Sequence, residues 1–186
     1  MSKSPKNLVI DASIARSVGG EEATYPTSVN CRNFLQTVLD RGHKMVFTLE
    51  IKKEWDRHQS KFADRWRRTM LARKRLVYIK DPSDRQELWN IIESTIEADN
   101  DDEFHNKKEA MFKDFHLLEA ALETDKTIAA LDERVRKLFA IASKQAKEIR
   151  EIVWVNPDRI EEEQPIAWLE NGAEFDSDRT LDIGEV

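Results

Sequence analysis

Short apolar runs alternate with charged, helix-patterned stretches along most of this chain, and that alternation constrains the fold more than any single motif. The strand-like runs are 7–11 ("NLVID"), Met45 to Thr48, 76–79 ("LVYI"), the "KTIAALD" stretch ending at Asp132, and "EIVWVNP", stopped by Pro157. Each is short, rich in β-branched or aromatic residues, and bounded by turn formers or charges. Between them lie helical periods over about Val29 to Arg41, onward from Leu49, from Asp84 to about Glu97, from about His105 to Glu123, and over 133–149. "DRHQSKFADRWRRTMLARKR" has no Gly or Pro and places Phe62, Trp66 and Met70 at helical spacing, which predicts an uninterrupted helical stretch. Strands separated by helices predict an α/β domain with a mainly parallel sheet. In such sheets, ligands bind outside the C-terminal ends of the strands at a topological switch point.

With 186 residues, 40% apolar and 35% charged, the chain is expected to fold as one globular domain with some elaboration. No run of about 18 apolar residues predicts a membrane span, and "MSKSPKNLVID" contains no signal-peptide hydrophobic region. One cysteine, Cys31, excludes an internal disulfide and a multi-cysteine metal site, and fits a small core residue in a reducing cytoplasm. The formal charge of −6 is uneven. Residues 158–186 hold ten acids against Arg159 and Arg179, so residues 1–157 carry about two net positive charges. An acidic balance of this kind leaves the body free to bind a polyanion.

Two predicted strands end in aspartate, Asp11 and Asp132, on the edge where an α/β sheet builds its sites. Glu54 lies in the helix after the second strand, with Glu50 one turn earlier on the same face. Asp114 falls roughly 60° from the apolar stripe of Met111, Phe115, Leu118 and Leu122, at the border of a buried face. Carboxylates gathered in one cleft stay ionised only beside a compensating cation. Hard oxygen ligands suit Mg²⁺ or Mn²⁺, which activate water and stabilise charge on a phosphoryl group. Each acid also has an ordinary role. Asp11 and Asp132 are placed to cap the helices that follow them, and Glu54 and Asp114 to be solvated helix charges.

"LVIDASIA", "FTLEIKKEW", "DFHLLEAALETDKTIAALD" and "IVWVNP" together resemble the core of the PIN-domain nucleases, over roughly residues 6–156. The matching positions are Asp11 with Ser13 two residues on, Glu54 or Glu50 after the second strand, and Asp114 and Asp132. The resemblance implies a three-layer α/β/α sandwich with a five-stranded sheet ordered 3-2-1-4-5, so that the first and fourth strands bring Asp11 and Asp132 together. It implies a Mg²⁺- or Mn²⁺-dependent endoribonuclease acting on single-stranded or structured RNA, with Asp11, Glu54, Asp114 and Asp132 as catalytic metal ligands and Ser13 beside the substrate. It also implies a toxin role, an antitoxin or other protein partner, and a homodimer. The chain departs from the pattern at Ala130, where Ser or Thr is frequent, in its longer 57–113 stretch, and in its acidic end. The expected organisation is a PIN-like domain over 1–157, with a helical elaboration at about 57–113, followed by an acidic tail over 158–186.

The basic run around Arg65, Arg67 and Arg68, with Trp66 inside it, is a candidate phosphate-tracking surface, or else a solvated face with Trp66 in the core. His43, His58, His105 and His116 show no ligand spacing. The acidic tail is expected to cover the basic run as an RNA mimic, to bind a partner, or to solubilise as a disordered segment, with Trp168, Leu169 and Phe175 suited to docking. "SVGGEE" lacks the Lys-Ser/Thr of a phosphate-binding loop, which disfavours nucleotide hydrolysis. The rival readings are an inactive PIN-like module binding RNA or protein, and another metal phosphohydrolase.

Overall fold

A computed structural model describes residues 4–184. Its five strands are β1 (Asn7–Ile10), β2 (Lys44–Phe47), β3 (Leu76–Tyr78), β4 (Thr127–Ala129) and β5 (Val153–Val155). They form one all-parallel sheet in the order β3-β2-β1-β4-β5, the expected order. Leu8, Val9, Ile10, Met45, Val46, Ile128, Trp154 and Val155 are all fully buried, because helices cover both faces of the sheet. The chain order reverses across β1, which is where Val9 and Ile10 register with Ile128 and Ala129 of β4. The backbone N–H of Asp11 still donates to Ala129 O at 2.9 Å, so Asp11 continues that pairing by one residue.

The helices are α1 (Ala12–Ser17), α2 (Pro26–Arg41), α3 (Leu49–His58), α4 (Lys61–Ala72), α5 (Gln86–Ser94), α6 (Asp101–Leu122), α7 (Glu133–Ala142), α8 (Ile160–Glu163) and α9 (Pro165–Glu170). α2 starts three residues before the expected position, since Pro26 suits a first helical turn, and it ends at Gly42 in the left-handed conformation. α6 also starts early. Asn100 caps it, accepting from the Glu103 N–H at 2.9 Å, and Asp101, Asp102 and Glu103 complement the positive end of the helix dipole.

The stretch expected as one helix from Leu49 through Arg75 is broken between α3 and α4. The Ser60 backbone N–H donates to Ala15 O at 3.0 Å, and its hydroxyl accepts from the Ala63 N–H at 3.3 Å. A tertiary bond to α1 and a new cap therefore replace the helical bonds of the N–H groups between those of Gln59 and Asp64. The helix expected over 133–149 likewise ends at Ala142 and resumes as a 3₁₀ turn at Lys147–Ile149.

Residues 158–184 fold onto the body. α9 packs along α2 with Trp168 and Leu169 buried, and Thr180 bridges antiparallel to Val153 on the β5 edge. His43 joins the two parts, accepting from the Lys6 N–H at 3.1 Å and lying 3.0 Å from Leu169 O. Glu163 is buried against Arg136 and accepts from the Asn156 N–H at 2.9 Å. This acidic segment closes the α2 side and the β5 edge. The arginines of the basic run meanwhile pair with Glu21, Asp56 and Asp64 of the body.

Candidate active site

Four elements meet at the C-terminal edge of β1 and β4. Asp11 follows β1, is 8% exposed, and caps α1 by accepting the Ser13 N–H at 3.0 Å. Asp132 stands between β4 and α7 and caps α7 by accepting the Val135 N–H at 2.9 Å. Both capping roles read from the sequence are thus present. Each cap engages one carboxylate oxygen and leaves the second for another partner.

Glu54 is placed by its neighbour. The indole of the fully buried Trp55 donates to Ile10 O at 2.8 Å, which ties α3 to the residue before Asp11. Asp114 comes from α6, which packs over β1 and β4. Ser13 joins the two strand ends through its hydroxyl, which accepts the Leu131 N–H at 3.4 Å.

Asp11, Ser13, Glu54, Asp114 and Asp132 line one cavity of about 220 Å³. The electrostatics agree with that convergence. Burial first, and then the charges of Asp11, Asp132 and Glu54, raise Asp114 to about 7 against the opposing pull of Lys113. Glu50 acts instead on Glu119, so of the two candidates on α3 it is Glu54 that belongs to this cluster.

Arg65, Arg67 and Arg68 do not line the cavity, and Trp66 is a core residue whose indole donates to Leu35 O at 2.6 Å. The basic side chains that do line it are Arg16, His58 and Lys113, which sequence reasoning passed over. Arg16 lies one helical turn beyond Ala12, and Lys113 precedes Asp114; neither spacing distinguishes them from the many other surface cations. His116 lies beside the cluster, with Nε2 3.6 Å from the Glu54 carboxylate and Nδ1 2.8 Å from Lys113 O.

An all-oxygen set carrying mutually repelling charge fits a hard divalent cation in its chemistry. Its side chains do not close around one: among the described residues, no three His, Cys, Asp or Glu groups are arranged to ligate a metal ion. The physical reason lies in their present partners. Asp11 and Asp132 turn an oxygen to their helix caps, and Glu54 leans towards His116.

Among the described residues no helix is long and apolar enough to cross a membrane. Compared with models of known protein families, with curated proteins and with solved structures, the chain matches none of them.

Proposed function

We propose that the chain is a PIN-like, divalent-metal-dependent endoribonuclease. The observation that carries this reading is the convergence of Asp11, Glu54, Asp114 and Asp132, from four separate elements, on one cavity at the switch point of the sheet. Burial together with the neighbouring carboxylates lifts Asp114 to about 7, the kind of perturbation that clusters at functional sites. The step to RNA rests on the PIN resemblance together with the positively charged side chains that share the cavity.

In this reading the four carboxylates hold Mg²⁺ or Mn²⁺. The ion, when bound, supplies an acidified water and charge stabilisation at a phosphodiester. The chain's own part is positional. The Trp55–Ile10 bond fixes Glu54 beside Asp11, and the Ser13–Leu131 bond fixes the β1 end beside the loop that carries Asp132. Asp114, raised by burial and by its acidic neighbours, is the member of the set whose ionised form a bound cation would stabilise most. The test is cleavage of a mixed-sequence RNA that is lost both in EDTA and in Asp132→Asn. The toxin role belongs to the same proposal, and a small partner protein encoded by the neighbouring reading frame would be its sign.

A second reading is favoured by one observation, the use of Asp11 and Asp132 as caps. It makes the chain an inactive PIN-like module that binds RNA or a partner protein. RNA retention that is insensitive to EDTA, with no cleavage, would select it.

A further inference from the structure

We infer that Arg16 and Lys113 are the substrate-binding cations of this site, holding the phosphodiester backbone of a single nucleic-acid strand as it crosses the carboxylate cavity. This rests on the nuclease reading and adds to it the residues that grip the substrate.

Of the conspicuous basic run, Arg65 pairs with Glu21 at 2.7 Å, Arg67 with Asp56 at 2.6 Å and Arg68 with Asp64 at 3.0 Å. A phosphate binding there must compete with a carboxylate already in place. Arg16 and Lys113 are both exposed and both line the cavity, yet among the described residues neither side chain has an ion pair or hydrogen bond. They therefore accept a phosphate with no ion pair lost.

Their placement matches what the chemistry needs. Arg16 stands in the last turn of α1, and Lys113 adjoins Asp114 on α6, so the two cations reach the cavity from separate elements. Four carboxylates alone repel a polyanion. Two positive side chains on the same cavity offset that repulsion at the entrance while leaving the acids free for a cation. A guanidinium also offers a bidentate fork for phosphate oxygens, and an ammonium a mobile point charge.

The experiment is binding of a fluorescent oligouridylate of about 12 nucleotides, followed by anisotropy from about 50 to about 200 mM KCl in Mn²⁺. An Asp132→Asn background prevents cutting. Each phosphate contact on a single strand contributes about 0.7 to the slope of log affinity against log salt. Arg16→Gln and Lys113→Gln are expected to lower that slope by about 0.7 each, and by about 1.4 together. Arg16→Lys retains the charge and the slope. Arg41→Gln, whose partner is Glu170, leaves the slope unchanged. Thermal melts of each variant confirm that the fold is intact.

A slope unchanged in the Arg16→Gln, Lys113→Gln double variant overturns the inference while the nuclease reading stands. Failure of the parent to bind or cut any RNA overturns both.

Discussion

Trp55 and Ile10 are joined by a 2.8 Å hydrogen bond from the indole N–H to the carbonyl, both groups being fully buried. The bond spans 45 residues of sequence and ends one position away from two of the four clustered acids, Glu54 and Asp11. A core contact thereby sets the geometry of the site above it. Trp55→Phe would fill most of the volume and strand the Ile10 carbonyl, at a cost of about 1–3 kcal/mol. Urea denaturation gives that cost. If the account is right, cleavage falls by more than the loss of folded protein explains, because Glu54 loses its anchor.

Asp114 makes stability depend on pH in a definite direction. Its pKa is raised from 3.8 to about 7, so the folded protein holds the proton more tightly than the unfolded chain does. The stabilisation is fully present below the ordinary value and is lost as pH rises through about 7. Asp114→Asn should match the parent near pH 4 and exceed it by about 2 kcal/mol at pH 8, once partial exposure is discounted. Denaturant midpoints across that range decide it. Parallel curves for parent and variant would show that neither burial nor the neighbouring carboxylates raise Asp114.

The acidic end is a structural part of the fold. Glu163 is buried, faces Arg136, and accepts the Asn156 N–H at 2.9 Å, while Leu169 is fully buried against the body. Glu163→Gln should cost about 2 kcal/mol by removing one of the two carboxylates that Arg136 pairs with, Glu133 being the other. Leu169→Ala should cost about 2–5 kcal/mol. Either loss is measured by chemical denaturation. A neutral effect of both would return the segment to a loosely attached tail.

Cys31 is fully buried. Burial, reinforced by the charge of Asp158, pushes its thiol up to about 12. It should resist an aromatic disulfide reagent at pH 8 in the native protein and react at once in denaturant.

Much of this architecture was legible in the residues because the physics involved is local. Strand-like runs broken by helical periods pointed to a parallel sheet, and the two terminal aspartates pointed to its functional edge. The sequence favoured Glu54 over Glu50 without excluding the latter, because one helical turn separates them; the Trp55–Ile10 bond separates them in space. The break at Ser60 rests on a bond to Ala15, far away in sequence, and the local cap signal of Ser60 was missed because the flanking pattern stays helical. The end of the chain looked aperiodic because its apolar residues are spent singly, Trp168 and Leu169 on α2 and Leu181 by the β5 edge, and not as a stripe along one helix. Arg16 and Lys113 were hidden among thirty Lys and Arg residues, and only the folded chain shows that they line the carboxylate cavity.

The central claim is that the clustered carboxylates form a metal-dependent nuclease centre. The most direct measurement is cleavage of a mixed-sequence RNA by the purified chain in Mn²⁺, run beside EDTA and Asp132→Asn controls. Asparagine also caps helices, so this variant keeps its bond to Val135 and its fold while losing the charge. The account predicts cutting by the parent that is abolished both by chelation and by Asp132→Asn. Cutting that survives in Asp132→Asn, or the absence of both cutting and Mn²⁺ binding in the parent, would contradict it.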